Sequence, residues 1–251
     1  MIGESDFYAL STKWVDLCSR NDYAHDLTFF GEQIFQVPTD IYLYQKLMWE
    51  VQPTLIIETG VAKGGSILAI ASFRFLAQQS REFRVLNSNV SDWLVVGIDK
   101  NDLTRERQII DKWSFGDHVR LVEGSSTDEA VLGQVKKLAR GHESCLVFLD
   151  SDHSESHVAR ELESYSKFVS VGSYLVVFDS GIGRLSAETH KARPREWNQL
   201  SHAGTAVSKF INKQEAKRAK DFKTPNFTIV TDIAEPLGIS SIENGILRRE
   251  S

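Results

Sequence analysis

The chain has few cysteines and no long apolar segment. Its two cysteines, Cys18 and Cys145, are too few for a disulfide framework. No run of about 18 apolar residues occurs, and the first residues lack the basic and then apolar pattern of a secretory signal. We therefore expect no membrane span and a cytoplasmic location. Acidic residues outnumber basic ones and give a net charge of −5, which disfavours nucleic acid as a partner.

The organisation of the 251 residues is that of one large α/β domain with a leading segment. The hydrophobic content of 41% is sufficient for a substantial core. Residues 1–37 contain aromatics without a clear period, which predicts a short helix and an irregular cover. Pro38 begins a helical apolar repeat that Pro53 ends. We therefore predict an N-terminal cover segment at 1–37 and an α/β domain at 38–251.

The segment from Thr54 to Ser66, TLIIETGVAKGGS, predicts a strand, a glycine-rich turn and a helix. Its continuous apolar run is typical of a parallel strand covered on both faces. The acid that follows lies at the carboxyl end of the strand, where open α/β sheets bind ligands. The glycines let the backbone approach a ligand, although they are also compatible with a plain turn. The candidate site residues are Glu58, Gly60, Gly64, Gly65 and Ser66, the last also as a helix cap.

Two further strand ends carry candidate cofactor ligands. The apolar run 94–99 ends in Asp99, whose carboxylate is suited to accept both hydroxyls of a ribose. Its alternative role is to cap the helix that follows. Ser125 and Ser126 follow the strand 119–122 and either contact an adenine or belong to a helix cap.

Acids and histidines are concentrated after the next two strands. Asp150 ends the run 145–150 and is followed by Asp152, His153 and His157, while Asp179 ends the run 173–178. If the helix that follows has begun by His153, the i,i+4 spacing places both imidazoles on one helix face. Because the carboxyl ends of parallel strands lie along one edge, we expect Glu58, Asp99, Asp150 and Asp179 to line a common cleft.

The polar segment from Gly183 to Gly204 is unusually long for a connection. Such segments are often lids, and a solvated disordered loop is equally compatible with this composition. Its basic residues suggest an anionic acceptor, such as a phosphorylated or nucleotide-linked sugar. They are Arg184, His190, Lys191, Arg193 and Arg195.

The linked segments resemble a known family. ETGVAKGGS, VVGIDK, EGSSTD, LDSDHSESHV and GSYLVVFDS follow PTDIYLYQ in this order. They are similar to the cephalosporin hydroxylase and rhamnosyl O-methyltransferase family of S-adenosyl-L-methionine-dependent enzymes, from about residue 28 to Arg249. The resemblance implies a Rossmann-like class I methyltransferase fold: a mostly parallel seven-stranded sheet with helices on both faces and an antiparallel member in the last strand pair. It implies methylation of a hydroxyl on a sugar, a glycosylated natural product or a cell-surface glycan.

The same resemblance assigns the cofactor ligands. It implies that the glycine-rich segment holds the methionine part of S-adenosyl-L-methionine, that Asp99 binds the ribose, and that Ser125 and Ser126 lie on the adenine side. An acid before the first glycine, Glu58, suits a cofactor with an ammonium group.

The candidates for metal ligands and for the general base lie close together, at the ends of the same two strands. Related divalent-metal O-methyltransferases bind Mg²⁺ through an acid after the fourth strand and a polar pair after the fifth. Asp150 and Asp179 match two of those positions, but Phe178 occupies the third, so Asp152 is the candidate substitute. His153 is the preferred general base, and His157 is second; either histidine could instead orient an aspartate. The predicted catalytic set is therefore His153, Asp150 and Asp179.

Two other functions remain compatible with these residues. A nicotinamide oxidoreductase should show G-x-G-x-x-G and a nearer acid, and the spacing here departs from both requirements. Phe178 keeps open a non-catalytic protein that binds the cofactor. The expected partners are a small-molecule or glycan acceptor and further copies of the same chain.

Overall fold

The structure, a computed structural model, describes residues 4–80, 92–192, 195–233 and 238–251. Its strands are β1 (Thr28–Phe29), β2 (Glu32–Gln33), β3 (Leu55–Thr59), β4 (Leu94–Asp99), β5 (Val119–Glu123), β6 (Cys145–Leu149), β7 (Tyr174–Val177), β8 (Phe227–Ile229) and β9 (Ile246–Arg249). Its α-helices are α1 (Glu4–Arg20), α2 (Pro38–Val51), α3 (Gly65–Gln78), α4 (Thr104–Ile110), α5 (Glu129–Leu138), α6 (Glu155–Tyr165), α7 (Ala187–Ala192) and α8 (Ala203–Arg218). Short 3-10 helices occur at Tyr23–Asp26, Gly116–His118 and Ser180–Arg184.

Strands β3 to β9 form one seven-stranded sheet in the order β5-β4-β3-β6-β7-β9-β8. Strands β3 to β7 pair in parallel, and β9 is antiparallel to both β7 and β8. The chain moves outward in one direction from β3 and in the other from β6, so the strand order reverses between these two strands. Ligands of open α/β sheets bind at the carboxyl ends of the strands beside such a point. The predicted α/β class, the mostly parallel sheet and the antiparallel member are confirmed.

The two faces of the sheet pack into separate cores. Side chains alternate along each strand, so Ile56 faces the cluster built with α2 and α3, and Ile57 faces the cluster built with α6 and α8. Strands β3 and β6 are buried along their whole length because helices cover both faces. Burial of each large aliphatic side chain stabilises the fold by about 1.5–3 kcal/mol. These helices hold the central strand ends in fixed positions.

The N-terminal segment is more regular than predicted. Residues 4–20 form one helix of 17 residues, α1, where a short helix was expected, and the β1–β2 hairpin follows it. Ile34 is 1% exposed and belongs to the same core as Leu43 of α2. The division into a cover segment and a domain stays a prediction, but the hairpin side of the cover shares the core of the domain.

Two local predictions were wrong, and one alternative that the sequence left open is excluded. His153 and His157 do not share a helix face, because α6 begins at Glu155 and His153 precedes it. Ser66 is not the cap of α3: Gly64 occupies the N-cap position with φ +84°, a conformation that glycine adopts without strain, and Ser66 lies in the first turn. The segment after Gly183 is not a disordered loop in its described part, since it contains α7 and a bridge between Asn198 and Ser201. The polar stretch at about 78–92, whose composition predicts a surface excursion before β4, lies mostly outside the described residues. Among the helices described, none is both long enough and apolar enough to cross a bilayer.

Candidate functional site

A cavity of about 730 Å³ lies at the carboxyl ends of the central strands. It is lined by the loops that follow β3, β4, β5, β6 and β7, and on its outer side by α1, the hairpin region and the segment 195–197. Three of the four predicted acids line it, namely Asp99, Asp150 and Asp179. Glu58 does not line the cavity because it is completely buried at the end of β3.

The glycines after β3 serve close packing as much as ligand access. A Cβ on Gly60 would lie 2.1 Å from the Asp150 carbonyl oxygen, and Gly60 itself has φ +89°. A Cβ on Gly65 would lie 2.4 Å from the Gln33 carbonyl oxygen. Gly60 lines the cavity, whereas Gly64 and Gly65 do not. The glycine-rich loop therefore joins the strand ends to the N-terminal hairpin and exposes part of its backbone to the cavity.

Glu58 is a buried acid without a hydrogen bond. Neither carboxylate oxygen has a partner at ordinary hydrogen-bond geometry within the described residues. Burial raises the pKa of Glu58 to about 8, the nearby Ser66 side chain opposes the shift, and the charge of Asp99 adds to it. Ser66 lines the cavity beside it. A buried, unpaired carboxyl group next to a ligand cavity is suited to a cationic ligand group.

Asp99 binds the backbone of the loop that it faces. Its Oδ2 accepts a hydrogen bond from the Ala62 N–H at 2.9 Å, and its Oδ1 accepts from the backbone and side-chain nitrogens of Asn101 at 2.9 and 2.8 Å. Asp99 does not cap α4, because Asp102 accepts the Thr104 N–H there at 2.8 Å. A carboxylate has about four acceptor positions, so Asp99 retains limited capacity for a further donor.

Ser125 and Ser126 both line the cavity, and a buried network fixes the second of them. The His157 Nε2 lies 3.0 Å from the Ser126 hydroxyl and 3.1 Å from the Ser151 hydroxyl. Ser151 donates its proton to Glu161 at 2.7 Å, so the Ser151 oxygen is left to accept from Nε2–H. His157 therefore ties two cavity loops together through the nitrogen that a base would need, which favours the orienting role over the second-base role.

Asp150, His153 and Asp179 form a compact cluster. One oxygen of each aspartate and one ring nitrogen of His153 lie within 4.8 Å of one another. The His153 Nε2 is 3.1 Å from the Asp179 Oδ2. Asp152 is not part of the cluster, and its Oδ1 accepts the Ser154 N–H at 2.8 Å. The structure therefore brings together the three residues of the predicted catalytic set and places His153 beside the two acids where Asp152 was expected.

The environment of Asp150 disfavours its charged form. Burial raises the pKa of Asp150 well above its ordinary value, and the charges of Asp179, Glu58 and Asp40 raise it further. Gln36 opposes the shift by donating its Nε2–H to the Asp150 Oδ2 at 2.5 Å. Two carboxylates that repel each other, with an imidazole beside them, are a donor set that fits a divalent cation, because the cation would offset the repulsion between the carboxylates.

The outer wall of the cavity contains residues that the sequence did not point to. Gln36 is 3% exposed and reaches Asp150 from the segment after β2. Trp197 lies edge-on to His153 with ring centroids 6.4 Å apart, and Tyr23 lines the cavity from the first 3-10 helix. The many aromatic residues in the segment 1–37 were a sequence signal for part of this wall, since Tyr23 is one of them. No local pattern could have identified Gln36.

The predicted cationic loop faces the cavity only in part. Arg184 donates a hydrogen bond to the Ser240 carbonyl oxygen and packs against Gly181. Arg195 lines the cavity, and Arg193 lies outside the described residues. Arg184 thus has a structural partner, which weakens the argument for an anionic acceptor.

Comparison with known proteins agrees with this geometry. The family described as Rhamnosyl O-methyltransferase/CmcI matches residues 21–250. The chain belongs to this family. Rhamnosyl O-methyltransferases of Mycobacterium bovis and Mycobacterium tuberculosis are 34% identical over 156 residues, which cover 62% of this chain and 57% of theirs. The protein of the same description from Mycobacterium leprae is 28% identical over 156 residues, with 62% and 61% covered. The matched region thus spans little more than half the length of these relatives.

Solved structures of similar fold include CmcI and a methyltransferase of Podospora anserina. CmcI with Mg and SAM has a TM-score of 0.56 and 19% identity, and the match covers 90% of this chain and 78% of that one. The SAH-bound Podospora anserina methyltransferase PaMTH1 has a TM-score of 0.54 and 15% identity, with 98% and 88% covered. At these identities the likeness concerns the fold, and it agrees with the class I methyltransferase sheet order.

Proposed function

We propose that this member of the family is an S-adenosyl-L-methionine-dependent O-methyltransferase. Its acceptor is a hydroxyl of a sugar, a glycosylated natural product or a cell-surface glycan. The observation that carries the proposal is that one cavity at the sheet edge joins the glycine-rich loop and Asp99 to the cluster of Asp150, His153 and Asp179. The cavity therefore has a cofactor half, formed by the glycine-rich loop and Asp99, and a reactive half, formed by Asp150, His153 and Asp179. The spacing of the glycines gives no support to a nicotinamide cofactor.

The cofactor half would bind S-adenosyl-L-methionine through charge and backbone contacts. Glu58, buried and without a hydrogen bond, would pair with the ammonium of the methionine part, with Ser66 and the backbone at Gly60 beside it. Asp99 would accept hydrogen bonds from the ribose hydroxyls. For this, one of the two hydrogen bonds that Asn101 donates to Oδ1 must break. Ser125 and Ser126 would contact the adenine side. Gly64 and Gly65 would act by shaping the loop.

The reactive half must orient the acceptor and remove its proton. Methyl transfer is an in-line displacement at a sulfonium carbon, so alignment of the acceptor oxygen supplies several kcal/mol of the barrier. A hydroxyl is too weakly acidic to lose its proton unaided at neutral pH. Mg²⁺ or a similar ion held by Asp150 and Asp179 would lower the pKa of the hydroxyl. Alternatively, His153 would take the proton as a general base, with Asp179 orienting the ring.

Replacement of Asp99 by alanine tests the cofactor assignment. Isothermal titration calorimetry with S-adenosyl-L-methionine should show binding to the parent chain and a loss of at least about tenfold in affinity for Asp99→Ala, as expected when a charge-assisted hydrogen bond of 1.5–3 kcal/mol is removed. The matched control is Asp102→Ala, which removes an exposed acid three positions away that accepts the Thr104 N–H at the start of α4. No binding of the cofactor to the parent chain at millimolar concentration would contradict the proposal.

Cytoplasmic location, assembly with further copies of the chain and the absence of nucleic-acid binding stay predictions from the sequence.

A further inference from the structure

Three side chains at the edge of the cavity present donors of two chemical kinds to one point. They are a carboxylate oxygen from Asp150, another from Asp179 and a ring nitrogen of His153, all within 4.8 Å of one another. Adjacent donors around an ion with bonds of about 2.1 Å lie roughly 3 Å apart. The separation of 3.1 Å between His153 Nε2 and Asp179 Oδ2 matches that spacing. The Asp150 oxygen lies within 4.8 Å of both other donors, so it must approach them by at most 1.7 Å to reach the same distance.

Apart from His153, the carboxylates around this point have no basic partner among the described residues. No lysine or arginine forms an ion pair with Glu58, Asp150 or Asp179 in the part of the chain that the structure describes. Carboxylates withdrawn from water are normally paired with a cation or coordinate a metal. The absence of a lysine or arginine beside Asp150 and Asp179 in the described residues is independent of the donor geometry, and it points to a bound cation.

Neither Phe178 nor Asp152 supplies a third donor to the cluster, so the third donor is His153. Phe178, the residue before Asp179, is 1% exposed and packs against Tyr44 and Phe148, so it contributes nothing to the cluster. The Oδ1 of Asp152 accepts the Ser154 N–H and lies outside the group. The donor set is therefore two carboxylate oxygens and one imidazole nitrogen.

We propose that His153 is a ligand, through Nε2, of a divalent transition metal that Asp150 and Asp179 also hold. Two carboxylates and a neutral imidazole balance the charge of a divalent ion. Imidazole suits first-row transition metals, whereas Mg²⁺ prefers oxygen ligands throughout, so this set favours an ion such as Mn²⁺, Fe²⁺ or Co²⁺. The role of the ion in catalysis rests on the proposed function. In this inference His153 is a metal ligand and not the general base.

Mn²⁺ is the probe for the test, because electron paramagnetic resonance reports both its binding and its ligands. The parent chain should remove the free-ion signal on titration, and the bound ion should show hyperfine coupling to an imidazole nitrogen in electron-spin-echo spectra. In His153→Gln this coupling should disappear and affinity should fall by about 100-fold or more, since loss of even a supporting contact costs about 10–100-fold. The control is His190→Gln, whose imidazole packs against Trp197 outside the cluster.

Competition with Mg²⁺ tests the metal preference. A hundredfold excess of Mg²⁺ should leave most of the Mn²⁺ bound. Absence of Mn²⁺ binding, bound Mn²⁺ without nitrogen coupling, or displacement by equimolar Mg²⁺ would each overturn the inference. Calorimetric titration of chelator-treated protein with S-adenosyl-L-methionine distinguishes failure of the metal-site inference from failure of the proposed function. Retained cofactor binding alongside any of those three results would reject the proposed transition-metal site alone, whereas absent cofactor binding would reject the proposed function.

Discussion

Glu58 is the residue whose ionisation is most directly linked to folding. Its carboxyl group is completely buried, and burial raises its pKa from 4.5 to about 8. An acid with a raised pKa binds a proton more tightly in the folded than in the unfolded state. Its contribution to stability is therefore fully present below pH 4.5 and is lost as the pH rises through about 8. A cationic ligand group beside Glu58 would reverse this penalty, so cofactor binding should also favour the ionised form.

Replacement of Glu58 by glutamine should remove this pH dependence. Glutamine keeps the shape but carries no ionisable proton, so the free energy of unfolding of the parent chain relative to Glu58→Gln should fall by about 1.4 kcal/mol per pH unit within the window. Urea unfolding at pH 5.5, 6.5 and 7.5 measures the difference. Glu129→Gln, at an exposed position in the first turn of α5, is the control and should parallel the parent. A pH-independent difference between parent and Glu58→Gln would show that the carboxyl is ionised throughout.

Among the structural elements, α1 and α7 are joined by one acid. Asp16 of α1 accepts hydrogen bonds from the Ser186 N–H at 2.8 Å and the Thr189 hydroxyl at 2.6 Å. Burial by itself would raise the pKa of Asp16, but these hydrogen bonds outweigh it and hold the pKa below the ordinary value. Both helices contribute cavity-lining residues, Val15 and Thr189 among them. The outer wall of the site thus depends on a contact between segments far apart in the chain.

Replacement of Asp16 by alanine should loosen α7 more than the sheet. The change leaves buried donors without an acceptor, which costs about 1–3 kcal/mol. Hydrogen exchange followed by mass spectrometry should show faster exchange at 186–192, with the amides of β3 and β6 unaffected. Lys13→Ala, at an exposed position on the same helix, should match the parent chain. Equal acceleration in the central strands would mean that α1 supports the whole fold and not the wall alone.

For the molecule as a whole, the shared core argues for cooperative unfolding. Ile34 of the N-terminal segment, Leu43 of α2 and Ile56 of β3 belong to one buried cluster. We therefore expect differential scanning calorimetry to show a single thermal transition whose calorimetric and van't Hoff enthalpies agree. A second, separate transition would indicate that the N-terminal segment is an independent unit.

The parts of this protein that depend on local pattern could be predicted, and those that depend on distant contacts could not. The helix starting at Pro38 and the buried strands were predictable because apolar spacing and proline act within a few residues. The acids Asp99, Asp150 and Asp179 were expected to lie together because parallel strand ends share one edge. Ser66 was misassigned as a cap because its sequence position does not reveal that Gly64 occupies the N-cap conformation.

The amino-acid order alone was sufficient for the fold class, the glycine-rich loop and the line of carboxylates, since each follows from periodicity and from the direction of parallel strands. Three-dimensional packing was needed to place His153, and not Asp152, as the third donor beside the two aspartates, to bury Glu58 completely at the end of β3, and to bring Gln36 onto Asp150 and Asp16 onto α7. These outcomes depend on side-chain direction and on contacts between segments more than one hundred residues apart for Gln36 and Asp16. No local preference encodes such contacts, because their energy appears only when the whole chain is folded.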